Sequence, residues 1–286
     1  MTHPTATVVV PAHNEEGQIG RLLAALVDER GARRRFDVVV VCNGCTDRTA
    51  DVAACFPVRV LDLPEPSKAA ALRAGDAAGA PDGARVYVDA DVEIDAESVA
   101  ALLAHIGDAG VLAAGPRREL PLDRSSWPVR SYYAVWLRLP QVRDGLFARG
   151  VIALSPDGAQ RVRNLPPSMS DDLVISEAFA PDERAVVNEA VVVVHPPRTV
   201  GDLMRRRTRV VTGNAQAERS GLRSEAARTS RRTLLAMARR EPALLPSIVV
   251  FAAVTLVARA RARRRVRTGD FSTWLRDESS RAEPPG

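Results

Sequence analysis

Apolar runs and helical spacings alternate along the first hundred residues. Four runs read as strands: TATVVVPA (5–12), FDVVVVCN (36–43), VRVLDL (58–63) and RVYVDA (85–90). The continuous valine runs suit strands covered on both faces. Between them lie three stretches at helical spacing, residues 15–30, 46–56 and 67–80. In the first, Ile19, Leu22, Leu23, Leu26 and Val27 fall on one helix face. Thr46 or Asp47 is positioned to cap the second helix, and Ser67 the third. This β-α-β-α-β-α-β order predicts a parallel, Rossmann-like sheet whose ligands sit at the carboxyl ends of the strands. Three polar clusters occupy those ends: AHNEE after the first strand, NGCTD after the second and DADVEID after the fourth.

The second half is less regular. Residues 97–106 read as helix, 110–116 as strand, 131–142 as a helix with aromatic anchors and 148–165 as strand, turn and helix. Residues 168–180 read as a capped helix and 185–197 as a strand. From about residue 215, Arg, Ala and Ser dominate. Residues 242–258, PALLPSIVVFAAVTLVA, are uncharged and mostly apolar. Pro246 interrupts them, and Arg259, Arg261, Arg263, Arg264, Arg265 and Arg267 follow at once. A helix of that length spans about 25 Å, against a hydrocarbon core of about 30 Å. It is expected to lie on or re-enter an anionic membrane surface; a short span and a helix packed on the catalytic domain are the alternatives. The expected division is an α/β domain over residues 1–215, with a mostly parallel sheet and flanking helices, and an Arg-rich helical extension over 216–286.

Composition adds a polarity. Hydrophobic and charged fractions of 46% and 26% are those of a globular chain with a real core. Residues 1–100 hold 10 basic and 16 acidic side chains, whereas residues 201–286 hold 19 and 8. An acidic head suits a metal or polar small-molecule site, and a basic tail suits an anionic partner. Lys68 is the one lysine among 40 basic residues: either a compact ammonium is wanted there or it is a chance surface residue. Cys42, Cys45 and Cys55 make no disulfide framework and fit a reducing compartment. The C-x-x-C of Cys42 and Cys45 has no second pair at zinc spacing. The first residues carry no secretory pattern, so the expected location is cytoplasmic, peripheral to or anchored at the inner face of a membrane.

The acidic cluster poses the sharpest chemical question. Asp89, Asp91, Glu93 and Asp95 crowd seven residues. Asp89 and Asp91, two apart just past a strand, can share one hard divalent cation, Mg²⁺ or Mn²⁺, with substrate phosphate completing its shell. The plain alternative is a solvated loop, and for Asp95 a helix cap is the preferred reading.

The cluster is not isolated. VVVPAHNEEGQIGRLLAAL, VVVVCNGCTDRTADVA, PSKAAALRAG and VYVDADVEID occur in that order at close spacing. As a set they resemble the family 2 glycosyltransferases of the GT-A, nucleotide-diphospho-sugar transferase fold, over residues 6 to about 215. The resemblance implies that Pro11, His13, Asn14 and Glu15 cradle the nucleoside of a UDP- or GDP-linked sugar. Asp47 matches the family's D-G-S-x-D pattern, whereas Asn43 stands where an Asp is usual, which puts base preference in doubt. Lys68 matches a family lysine near phosphate, and Asp89 and Asp91 match the metal-diphosphate pair. In SMSDDL the resemblance implies Asp172 as the base that deprotonates a hydroxyl acceptor, with Asp171 in support; helix capping by Ser170 and Asp171 is the plain alternative. His195 is implied as a third metal ligand or is a structural strand-end histidine. Arg206 and Arg209 stand in a Q-x-x-R-W position, with Arg206 replacing Gln and Val210 replacing Trp; they would bind the leaving diphosphate or form a solvated face. Trp127, Tyr132, Tyr133 and Trp136 are expected to be available for stacking on acceptor.

The function this implies is metal-dependent, inverting hexosyl transfer to a hydroxyl acceptor, lipid-linked or in the cell envelope, with no nucleic-acid partner. A nucleotidyl transferase would want a Gly-rich loop after the first strand, and a glycoside hydrolase would need two carboxylates but no nucleotide cradle. The remaining rival is a non-catalytic module on a degenerate GT-A fold, bound to membrane or nucleic acid through its basic tail.

Overall fold

The computed structural model describes residues 6–27, 36–107, 110–166, 171–219 and 229–267. Its strands are β1 (Ala6–Ala12), β2 (Phe36–Asn43), β3 (Arg59–Leu63), β4 (Ala84–Val88), β5 (Val92–Glu93), β6 (Ala113–Glu119), β7 (Val151–Leu154) and β8 (Arg184–Val194). Its helices are α1 (Glu16–Leu26), α2 (Thr49–Ala54), α3 (Lys68–Ala78), α4 (Ala96–His105), α5 (Trp127–Trp136), α6 (Pro140–Asp144), α7 (Pro156–Arg163), α8 (Asp171–Glu177), α9 (Val200–Arg219), α10 (Arg231–Arg240) and α11 (Leu245–Arg267). The chain forms two compact units. One comprises Met1–Leu120, Leu146–Pro167 and Ala178–Val194; the other comprises Pro121–Gly145, Ser168–Glu177 and His195–Gly286.

The first unit is a mixed α/β structure built on one sheet in the order β3-β2-β1-β4-β7-β6-β8-β5. β3, β2, β1 and β4 run parallel, β7 is antiparallel to both β4 and β6, and β5 is antiparallel to β8. Val8, Val9, Val10, Val39, Val40 and Val41 are wholly buried, as the unbroken valine runs require of strands covered on both faces. α1 buries Ile19, Leu22, Leu23 and Leu26; each such side chain contributes about 2 kcal/mol of transfer free energy. Ser67 caps α3 by accepting from the Ala70 amide, and Asp95 caps α4 by accepting from the Ser98 amide, as expected. At the second helix the N-cap residue is Arg48, whose side chain makes no capping bond, while the Asp47 carboxylate accepts from the Thr49 amide at 3.0 Å.

β1 has β2 on one side and β4 on the other, and β4 is joined to β1 through β2 and β3. The strand order therefore reverses at the β1/β4 pair, where open parallel sheets leave a crevice beyond the carboxyl ends.

The second unit is helical. The expected helix over 131–142 begins earlier, at Trp127, and breaks before Pro140, whose ring cannot continue a helix interior. Pro246 does not interrupt the apolar segment. It lies in the first turn of α11, where a missing N–H leaves no bond unmade, and the helix then runs 23 residues through the arginines. Ala and Arg are both strong helix formers, which explains why it continues past Ala258.

Candidate active site

Beyond the carboxyl ends of β1 and β2, two loops clasp each other. His13 Nδ1 lies 2.6 Å from the Asn43 carbonyl oxygen. Asn14 adopts a left-handed backbone (φ 53°), and its side chain accepts from the Thr46 amide at 2.7 Å and donates to the Thr46 hydroxyl at 3.2 Å. The Glu15 amide donates to Thr49 Oγ1 at 2.8 Å, and the Glu16 amide donates to Asp47 Oδ2 at 3.2 Å. Asp47 thereby receives a first-turn amide of α1 while its other oxygen accepts from the Thr49 amide. Partial burial opposes its ionisation, but these bonds prevail and hold its carboxyl below the ordinary value. Gly44 needs its left-handed φ of 59°, and a Cβ there would lie 2.6 Å from the Pro66 nitrogen.

Asn43 has an explanation in this clasp. It is 4% exposed. Its amide nitrogen donates to the Ala12 carbonyl at 2.8 Å, and its oxygen accepts from the Ser67 amide at 3.0 Å. The position requires one donor and one acceptor, which an ionised carboxylate cannot offer. The C-x-x-C motif also belongs to the packing. Cys42 is wholly buried, and that burial, with Cys45 beside it, pushes its thiol up to about 12. A thiol so protonated is a poor nucleophile and a poor metal ligand.

The acidic stretch after β4 separates by partner. Lys68 Nζ, in the first turn of α3, lies 2.7 Å from Asp89 Oδ1. Glu93 pairs with Arg21 at 3.1 Å, and Asp95 caps α4. Asp91 is half-buried beyond the buried Ala90. The loop over residues 148–150, part of the stretch RDGLFARG (143–150) that the sequence suggests for the acceptor side, supports this corner. Ala148 and Gly150 both have positive φ, 53° and 69°, and the Gly150 carbonyl accepts from the Asp89 amide at 2.7 Å. A Cβ on Gly150 would meet Val92 Cγ1 at 2.4 Å. Arg149, between them, is 2% exposed and donates to the Pro116 carbonyl at 2.7 Å. Glycine adopts such a φ freely, whereas the left-handed Ala148 is local strain of the kind that accompanies functional sites.

Asp171, Asp172, His195, Arg206 and Arg209 belong to the second unit. Asp171 and Asp172 open α8, and Asp172 Oδ1 accepts from the Leu173 amide at 2.8 Å. The cap expected from Ser170 lies outside the described residues. Arg206, on α9, donates to the His195 carbonyl at 3.2 Å. The aromatic expectation is corrected. Tyr132, Tyr133 and Trp136 are 0%, 4% and 9% exposed, and they stack edge to face with centroids 5.3 and 5.6 Å apart. Their helix turns these rings into the unit's own core, so only Trp127, 58% exposed, remains open for stacking.

Among the described residues, no three His, Cys, Asp or Glu side chains are gathered as a ready metal cage. Asp89 and Asp91 nonetheless fit a hard divalent ion that takes the rest of its shell from phosphate and water. The ammonium of Lys68 on Asp89 shows that this carboxylate accepts a cation.

Comparison with known proteins shows the family and the fold. An uncharacterised glycosyltransferase of Mycobacterium tuberculosis is 35% identical over 128 residues, 45% of this chain and 55% of that protein. A 4,4'-diaponeurosporenoate glycosyltransferase of Staphylococcus aureus is 38% identical over 61 residues, 21% of this chain and 16% of that protein. The match to the mycobacterial relative thus covers about half of its length. Among solved structures, a mannosyltransferase from Pyrobaculum calidifontis in complex with GDP-Man and Mn²⁺ aligns with a TM-score of 0.61 at 23% identity, over 94% of this chain and 80% of that one. A glucosyl-3-phosphoglycerate synthase from M. tuberculosis with Mn²⁺, UDP and phosphoglyceric acid gives 0.54 at 22%, over 77% and 80%. At those identities the likeness shows the fold, GT-A. The family model described as Glycosyl transferase family 2 matches residues 7–156, a stretch that holds both clasped loops, Lys68 and the Asp89–Asp91 pair. The chain is a member of glycosyl transferase family 2.

Proposed function

We propose that this protein transfers a sugar from a nucleotide-diphosphate donor to a hydroxyl acceptor, with inversion at the anomeric carbon. The observation that carries this reading is the Lys68–Asp89 pair at 2.7 Å, beyond the carboxyl end of β4 at the point where the strand order reverses. A lysine and two carboxylates there offer both signs of charge that a metal-bound diphosphate needs. His13, Asn14, Glu15 and the buried Pro11 form the wall on which the nucleoside is held. Asn43 and Asp47 act as positioning residues, because their polar atoms fasten the clasp. Arg206 and Arg209 are proposed for the leaving diphosphate.

Asp89 and Asp91, with His195 as a further ligand, would hold Mg²⁺ or Mn²⁺. Such an ion offsets charge on the leaving diphosphate. The structures of the pyrobaculum and mycobacterial enzymes, both with Mn²⁺, support that choice. Asp172 takes the proton of the acceptor hydroxyl as its oxygen bonds to the anomeric carbon and the bond to diphosphate breaks. Asp171 supports it from the same helix turn. The acceptor is expected to be lipid-linked or in the cell envelope.

Calorimetric titration tests the donor half. UDP, GDP and their sugars are titrated with and without Mn²⁺ into wild type and Asp91→Ala. One nucleotide should bind only with metal, and the variant should lose that binding. Folded wild-type protein that binds none of them would sink the proposal.

A further inference from the structure

α11 has two apolar faces, and they point in opposite directions. Phe251, Val254, Ala258 and Ala262 are all buried. At about 100° per residue they fall on one side of the helix. Phe251 stacks on Tyr132 of α5 with centroids 5.0 Å apart, so this side is part of the second unit's core. Leu245, Val249, Ala253, Leu256 and Ala260 recur at steps of four, four, three and four on the opposite side, and all are exposed. Val249 and Leu256 are 67% and 64% exposed, and Val257 beside them is 45% exposed. Neighbouring α10 buries none of its residues and exposes Leu235 at 57%. A helix that is apolar all round normally has partners all round, and contiguous bare apolar surface marks an interaction site.

The surrounding charge selects the partner. Residues 231–267 hold ten arginines and one acidic residue, Glu241, and Glu241 is paired with Arg138 at 3.2 Å. Exposed arginines lie at both ends of the apolar stripe: Arg231, Arg232, Arg239 and Arg240 on α10, and Arg259, Arg261, Arg263 and Arg264 on α11. A second copy of the chain would meet this face with the same arginines, since a two-fold interface opposes like with like. A negatively charged sheet of phosphates complements it, while the stripe enters the acyl boundary. By length and composition Pro242–Arg264 is apolar enough to cross that layer, but one side of α11 is committed to Tyr132, and a helix lying in the plane keeps that contact.

We infer that the outer face of α10 and α11 docks this protein in the plane of an anionic lipid bilayer, with Leu245, Val249, Leu256 and Val257 inserted and the arginines on headgroup phosphates. This does not depend on the glycosyl-transfer reading. The test is co-sedimentation of the full chain with vesicles of phosphatidylcholine alone and of equal parts phosphatidylcholine and phosphatidylglycerol. Wild type should bind the mixed vesicles far more tightly than the neutral ones. Val249→Asp with Leu256→Asp should weaken that binding at least about tenfold, by removing the inserted surface. Arg261→Gln with Arg263→Gln should weaken it about 25-fold, at roughly fivefold per arginine near an anionic surface. Both pairs are exposed, so circular dichroism and melting temperature should match wild type. Equal binding to neutral and anionic vesicles, or binding untouched by the Val249/Leu256 pair, would overturn the inference. A dimer in sedimentation velocity that the same pair abolishes would make a second copy the occupant and overturn it as well.

Discussion

α1 and α11 are both apolar helices, yet they treat their apolar residues differently. α1 gathers Ile19, Leu22, Leu23 and Leu26 into one buried stripe and exposes Gly17 and Arg21 opposite. α11 buries Phe251 and Val254 and exposes Val249 and Leu256 opposite. The first helix has as much apolar surface as its own core covers. The second has more, and its excess is bordered by arginine. A helix therefore reports on its surroundings twice: the stripe it buries describes the fold, and the stripe left over describes what the fold meets.

If that contrast is also a division of labour, chemistry and docking should separate under mutation. Asp172→Asn should lower turnover by about 10²–10⁴, the range for loss of a general base. Donor binding by calorimetry and vesicle binding should stay at wild-type levels. Val249→Asp should do the reverse. A turnover loss for Asp172→Asn of less than about tenfold would remove Asp172 from the role of base.

The contrast can be sharpened inside α11 itself. Phe251→Ala deletes a ring stacked on Tyr132 and should cost about 3–5 kcal/mol in urea unfolding. Val249→Ala, two residues away on the opposite face, should change stability by less than about 0.5 kcal/mol. Comparable losses from the two would mean that the outer face is covered in the folded protein, and the division would fail.

The front of the molecule was largely legible in the sequence. Uninterrupted valines have few other places to go than a doubly covered strand, and the ends of β1, β2 and β4 fall at the expected clusters. Capping by Ser67 and Asp95 was legible for the same local reason. What was not legible depended on tertiary partners. Arg85 reads as a polar strand residue, yet it is wholly buried. Its guanidinium donates to the carbonyls of Gly83, Ala84, Asp76 and Ala80 and pairs with Asp76 at 3.2 Å. The aromatic helix α5 looked like an acceptor wall because sequence alone does not show which side of it faces a core. Gly150 gained its meaning only from the Asp89 amide bonded to its carbonyl.

Asn43 tests how far the clasp itself is structural. Replacing it with Asp sets a carboxylate oxygen against the Ala12 carbonyl, where the amide now donates at 2.8 Å. Asn43→Asp should destabilise the fold by about 1–3 kcal/mol, the penalty for an unmet buried polar group. Proton uptake by the new carboxyl restores a donor, so the deficit should shrink at low pH. A variant as stable as wild type at neutral pH would show that the loops can rearrange around a carboxylate, as other members of the family with Asp here must.

The smallest effect concerns acid. Arg161 holds Glu183 through both carboxylate oxygens, at 2.6 and 2.9 Å, and the Ala180 amide adds a third bond at 2.9 Å. The Arg161 bond comes first among the causes that lower the Glu183 carboxyl from 4.5 to about 2. A carboxyl depressed on folding stabilises the fold above its unfolded value, and that stability is lost as pH falls through the folded one. Glu183→Gln should therefore flatten the acid limb of the stability curve between about pH 4.5 and 2 while leaving the bond to the Ala180 amide intact. Because this pair is partly open to solvent, salt should blunt the difference. An acid limb equally steep in wild type and Glu183→Gln would show that the Arg161 bond does not hold in solution.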